Sequence, residues 1–97
     1  MNQDPKASPP AGDHRRKRLR FQCWHRGIRE MDLILGAFAD HHLDRLPQDE
    51  LAALEALLAI ADTTLYLWVT GREAVPRQHD GSLFQRLKAF AASHPHG

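Results

Sequence analysis

The chain has a single cysteine, Cys23, which excludes an internal disulfide framework and fits a reducing compartment or indifference to redox state. It also lacks any apolar run near the roughly 20 residues that span a bilayer, and no apolar h-region precedes its first charges. Neither a membrane protein nor a secretory precursor is expected. An excess of one charge is missing too. Thirteen Lys and Arg against 12 Asp and Glu nearly cancel, so any electrostatic argument has to be local. Large apolar side chains are almost absent from residues 1–14, where Pro5, Ser8, Pro9, Pro10 and Gly12 stand. Ordering that stretch would cost entropy that no burial offsets, so it reads as a disordered tail, and residues 94–97 are expected to fray.

Recognisable catalytic chemistry is missing as well. The seven histidines include no i, i+4 pair and no H-E-x-x-H arrangement, so no two imidazoles share a helix face to hold a metal. No nucleophile motif occurs. Cys23 and His25 stand two residues apart and point about 200° from each other on a helix, which makes Cys23 a buried structural thiol. No glycine-rich loop between strand and helix offers a cradle for a nucleotide phosphate.

What is present is helical periodicity. Residues 15–93 read as one all-α domain, a small compact bundle of four to five short helices. The first helix covers about residues 15–25, with Leu19 and Cys23 on one face, and Gly27 stops it. The second runs over residues 28–42 with Met31, Ile34, Leu35, Phe38 and His42 as its buried stripe. Leu33 and Glu30 fall nearly opposite, which leaves a large apolar residue beside charge. The third opens at Pro47 as its first helical residue and presents Leu51, Leu54, Leu57, Leu58 and Ala61 to the core. Asp62 is read as the N-cap of a fourth helix with Leu65, Trp68 and Val69, closed by Gly71. Residues 63–70 have strand-like propensity, but a lone strand would lack a partner, so helix is preferred. After a loop over residues 71–81, Ser82 and Gln85 match a capping box that starts a last helix with Leu83, Phe84, Leu87 and Phe90.

Two charged features stand out. The junction Arg26-Gly27-Ile28-Arg29-Glu30 places a cation, a backbone hinge and an anion where one helix ends and the next begins. Its plainest reading is a surface ion pair between Arg26 and Glu30, worth roughly 0.3–0.5 kcal/mol. The run Arg15-Arg16-Lys17-Arg18-Leu19-Arg20 holds five cations in six residues. It suits a solvated helix face, an arm gripping an acidic protein surface, or phosphate neutralisation in a nucleic-acid-binding or toxin-antitoxin regulator. The absence of interleaved aromatic residues counts against nucleic acid.

From about Arg15 to Phe90 the chain resembles the succinate dehydrogenase assembly factor family. The resemblance rests on Arg16-Lys17-Arg18-Leu19, then Arg26-Gly27-Ile28-Arg29-Glu30 as the family's R-G-x-x-E hallmark, then Asp32, Leu35 and Phe38-Ala39. It continues with Leu43, Leu46-Pro47-Gln48-Asp49-Glu50-Leu51, Asp62, Leu65, Trp68 and Gly71; Thr64 stands where relatives commonly carry an acidic residue. The resemblance implies a non-enzymatic cytoplasmic factor that binds the flavoprotein subunit of succinate dehydrogenase, or of fumarate reductase, and promotes covalent attachment of FAD to a histidine of that subunit. It implies no tightly bound cofactor, metal or catalytic residue in this chain. It transfers Arg26, Gly27 and Glu30 onto the interaction motif, with Arg29, Asp32, Leu33, Arg16 and Arg20 extending the partner-binding surface.

Overall fold

A computed structural model describes residues 11–93, so residues 1–10 of the expected tail 1–14 and the expected frayed end at 94–97 lie outside them. The described residues form five α-helices and no strand: α1 Ala11–Trp24, α2 Arg29–His42, α3 Gln48–Leu58, α4 Asp62–Val69 and α5 Ser82–Ser93. Short 3-10 turns occupy Leu43–Arg45 and Arg77–His79. α1 starts four residues before the expected position, at Ala11 rather than 15, so residues 11–14 are helical. The N-terminal extension of a packed helix needs little propensity of its own once later turns are anchored.

The core is apolar throughout. Leu19 and Cys23 of α1, Met31, Ile34, Leu35 and Phe38 of α2, and Leu51, Leu54 and Leu57 of α3 are buried with Leu65, Trp68, Leu83, Phe84, Leu87 and Phe90. The α2 stripe differs from the expected one: His42 is only half-buried, whereas Gly36 and Ala39 are buried beside the stripe and Ala37 packs against the core. The cause is α1, which makes the most extensive helix contact of the fold, against α2. The Trp24 indole lies on Gly36, where an added Cβ would stand 2.1 Å from the ring, and Trp24 Nε1 donates to Asp40 at 3.3 Å. A mid-helix glycine loses about 1 kcal/mol against alanine in propensity, so its presence here answers to the ring above it. Gly36→Ala is therefore expected to destabilise by about 1–2 kcal/mol net of that propensity, lowering Tm by roughly 5–10 °C in a thermal melt.

Several helix ends differ in detail from the sequence reading. Pro47 is the N-cap of α3, one position before the first helical residue, and its carbonyl accepts from the Glu50 and Leu51 amides. α3 ends at Leu58, leaving Ala61 exposed rather than in the core face. The N-cap of α4 is Ala61, with no side-chain cap; Asp62 is the first helical residue and its carboxylate faces an arginine instead. α4 closes as expected on Gly71, whose φ is 77°. The Arg72 amide donates to Leu67 O and the Gly71 amide to Trp68 O, a Schellman motif. No capping box forms at α5. Ser82 donates its hydroxyl to Glu50, 2.6 Å away on α3, and the Gln85 amide reaches Asp80. Ser82 thus turns to a neighbouring helix and Gln85 to the loop just before α5, so neither side chain closes the box.

Candidate functional site

The α1–α2 junction is built around Asp32. Gly27 adopts φ 106°, a left-handed conformation that β-carbon-bearing residues rarely hold, and it turns the chain between the two helices. That turn brings the Arg26 and Gly27 amides onto one carboxylate oxygen of Asp32, at 2.5 and 3.2 Å. Asp32 answers with its own amide, which donates to Ile28 O at 2.9 Å. Two successive amides converging on an anion fix the turn without a conventional N-cap, since Ile28 makes no side-chain cap.

Arg26 does not pair with Glu30. Its guanidinium turns inward between α3 and α4: Nε donates to Asp62 Oδ1 at 2.6 Å, Nη1 to Leu58 O at 2.6 Å and Nη2 to Ile60 O at 2.8 Å. The two side chains are only 12% and 14% exposed. A planar fork of donors satisfies two orphan carbonyls at the end of α3 and one carboxylate at the start of α4. Arg26 therefore cannot offer its charge to a partner without opening this junction. It positions the motif from behind.

The outward residues are different in kind. Gly27, Arg29 and Glu30 are exposed, and neither Arg29 nor Glu30 has a hydrogen-bond or ion-pair partner among the described residues. Arg29 stands at the first position of α2, the positive end of the helix dipole, where a cation is unfavourable for the helix itself. Nothing lies within 4 Å of where a Gly27 Cβ would be, so the glycine's surface is open. Leu33 is half-buried. The five-residue motif is thus divided: Arg26 ties it to the fold, and Gly27, Arg29 and Glu30 face outward.

Of the basic run, Arg15, Arg16 and Arg20 are half-buried while Lys17 and Arg18 are exposed. Arg15 grips Glu55 through two nitrogens at 2.9 and 2.7 Å and reaches Gln48, while Arg16 donates to Leu43 O and Leu46 O at 3.2 and 2.6 Å. Arg20 pairs with Asp40 and Asp44 at 3.3 and 3.5 Å, and Arg18 makes a long contact with Glu55 at 3.9 Å. Hydrogen bonding from Arg15 holds the Glu55 carboxyl below its ordinary range. Within the run only Lys17 is without a partner among the described residues. Arg16 and Arg20, expected on the partner surface, are half-buried and fasten α1 to α2 and to the turn that follows it. Charge density along the sequence could not reveal this, because the acceptors come from residues 20–40 positions away in the chain.

Cys23 is fully buried, and burial pushes its thiol up to about 12 despite the nearby Arg26 and Arg20 charges. That is an inert core thiol. No group of three or more His, Cys, Asp or Glu side chains among the described residues is placed to hold a metal, and no helix is long and apolar enough to cross a membrane.

The model of the family described as flavinator of succinate dehydrogenase matches residues 17–91. The FAD assembly factor SdhE of Acetobacter pasteurianus is 33% identical over 73 residues, covering 75% of this chain and 67% of that protein. The mitochondrial succinate dehydrogenase assembly factor 2 of Candida glabrata is 45% identical over 83 residues, 81% of this chain and 54% of that one. The SdhE protein of Legionella pneumophila strain Lens is 42% identical over 62 residues, 63% of this chain and 77% of that one. The chain thus spans from about half to three quarters of the length of these relatives, which are bacterial and mitochondrial. Carrying R-G-x-x-E at the junction of its first two helices and matched over nearly its whole described length, this five-helix chain belongs to the family described as flavinator of succinate dehydrogenase, a family of assembly factors.

Proposed function

We propose that this chain docks on the flavoprotein subunit of succinate dehydrogenase and holds it in a conformation where that subunit attaches FAD covalently to its own histidine. The related fumarate reductase flavoprotein is the second client, and the bacterial cytoplasm is the place of action. One observation carries the reading: Arg29 and Glu30 are two exposed, unpaired charges of opposite sign, held beside an open glycine by an internally braced turn. Such an arrangement suits recognition of a surface. Glu30 can accept charge-assisted hydrogen bonds, Arg29 can donate them, and Gly27 lets a partner approach the backbone. Positioning alone can lower a barrier by roughly 7–11 kcal/mol, so a factor with no catalytic side chain is chemically sufficient. A nucleic-acid role loses its main support, since Arg15, Arg16 and Arg20 are engaged within the fold.

Gly27→Val tests the backbone part. A branched side chain at φ 106° is strained by about 1–3 kcal/mol. The bundle should remain folded at 25 °C, because the added atoms meet open space. Titration of the purified flavoprotein subunit should then show affinity lost well beyond what any unfolded fraction explains. Wild-type affinity from folded Gly27→Val would remove close backbone approach from the mechanism.

A further inference from the structure

The face that carries Glu30 continues across three helices. Two clefts open side by side there and share Glu30 and Tyr66. One of about 330 Å³ is bounded by Ile28, Thr63 and Leu67. The other, of about 270 Å³, is lined by Ile34, Val69 and Ala91, with Lys88 of α5 on its wall. α5 packs against both α2 and α4, so this second cleft is a trough between helices with an acid on one and a base on another. Neither Glu30 nor Lys88 has an ion-pair or hydrogen-bond partner among the described residues, whereas Arg15, Arg20, Arg26 and Arg86 all do.

We infer that the trough takes an apolar side chain from a segment of the flavoprotein partner, with a basic residue on that segment facing Glu30 and an acidic one facing Lys88. This rests on the function proposed above and extends the docking surface to α4 and α5, beyond the R-G-x-x-E motif. Charge complementarity argues for it. Opposite unpaired charges on two rims fix the direction in which a dipolar segment lies, and the apolar floor between them gains from burial. A segment of uniform charge would meet one rim favourably and the other unfavourably.

The test is isothermal titration of the purified succinate dehydrogenase flavoprotein subunit with the full chain and four variants, Glu30→Ala among them, each checked by thermal melt. Lys88→Glu reverses one rim, and affinity should fall by at least about tenfold. Ala92→Trp, at an exposed position lining the same cleft, fills the trough and should weaken binding similarly at unchanged Tm. Lys17→Glu makes the same charge change on α1, away from the trough, and should bind like the unaltered chain. If Lys88→Glu and Ala92→Trp bind like Lys17→Glu while Glu30→Ala binds weakly, the trough is not the docking site and the proposed function stands. If the unaltered chain itself does not bind, both readings fall.

Discussion

Arg26→Ala should unfold the junction between α3 and α4 and lower stability by about 3 kcal/mol, at the lower end of the cost of stripping one partner from a buried ion pair, since this pair keeps 12% and 14% of its side-chain surface exposed. In a domain of this size that is a drop in Tm of roughly 15 °C. The loss has three parts: the Asp62 carboxylate is left 14% exposed without its cation, and the Leu58 and Ile60 carbonyls lose their donors. Arg26→Lys should recover only part of it, since one ammonium cannot span three acceptors that a planar fork reaches together. Asp62→Ala and the double variant with Arg26→Ala complete a cycle, and their effects should be strongly non-additive. Flavinylation by Arg26→Ala would fall because the motif is no longer held. A variant that melts like wild type yet fails to support flavinylation would mean that the guanidinium leaves the junction to meet the partner.

Glu30→Ala should do the reverse. The side chain is exposed and unpaired, so thermal stability should change by no more than about 0.5 kcal/mol. Affinity for the flavoprotein subunit should fall roughly 10- to 100-fold, the weight of one or two hydrogen bonds to a charged group. Two residues four apart in one motif thus have opposite signatures, one in melting and one in binding. Their separation follows directly from which way each side chain points.

That division was not legible in the chain. The helices were, because Met31, Ile34, Leu35 and Phe38, or Leu51, Leu54 and Leu57, repeat at helical spacing whatever their tertiary setting. The α4 segment resolved in favour of helix for the reason its β-rich composition could not supply: Leu65, Trp68 and Val69 share one buried face. Gly27 was legible as a positive-φ hinge. Arg26 was not legible as a brace, since its acceptors are the carbonyls of Leu58 and Ile60 and a carboxylate 36 positions away. A sequence displays charge but not the distant backbone groups that need a donor. Asp32 likewise looks like a surface acid, yet it organises the turn. Gly36 carried a usable signal, a glycine in mid-helix with no cap function, which marks a close approach such as that of Trp24. For Lys88 and Tyr66 there was none, because the trough exists only once α5 packs across α2 and α4.

On the proposed function, the outward half of the motif, Glu30 above all, acts on the flavoprotein while the inward half acts on the fold. The most direct test of this division is covalent flavin, read as fluorescence of the denatured succinate dehydrogenase flavoprotein subunit. The subunit is co-expressed with this chain in cells lacking their own factor. The unaltered chain should raise covalent flavin, and Glu30→Ala, with an unchanged melting temperature, should return it to the level without any factor. Full flavinylation by Glu30→Ala would contradict the account.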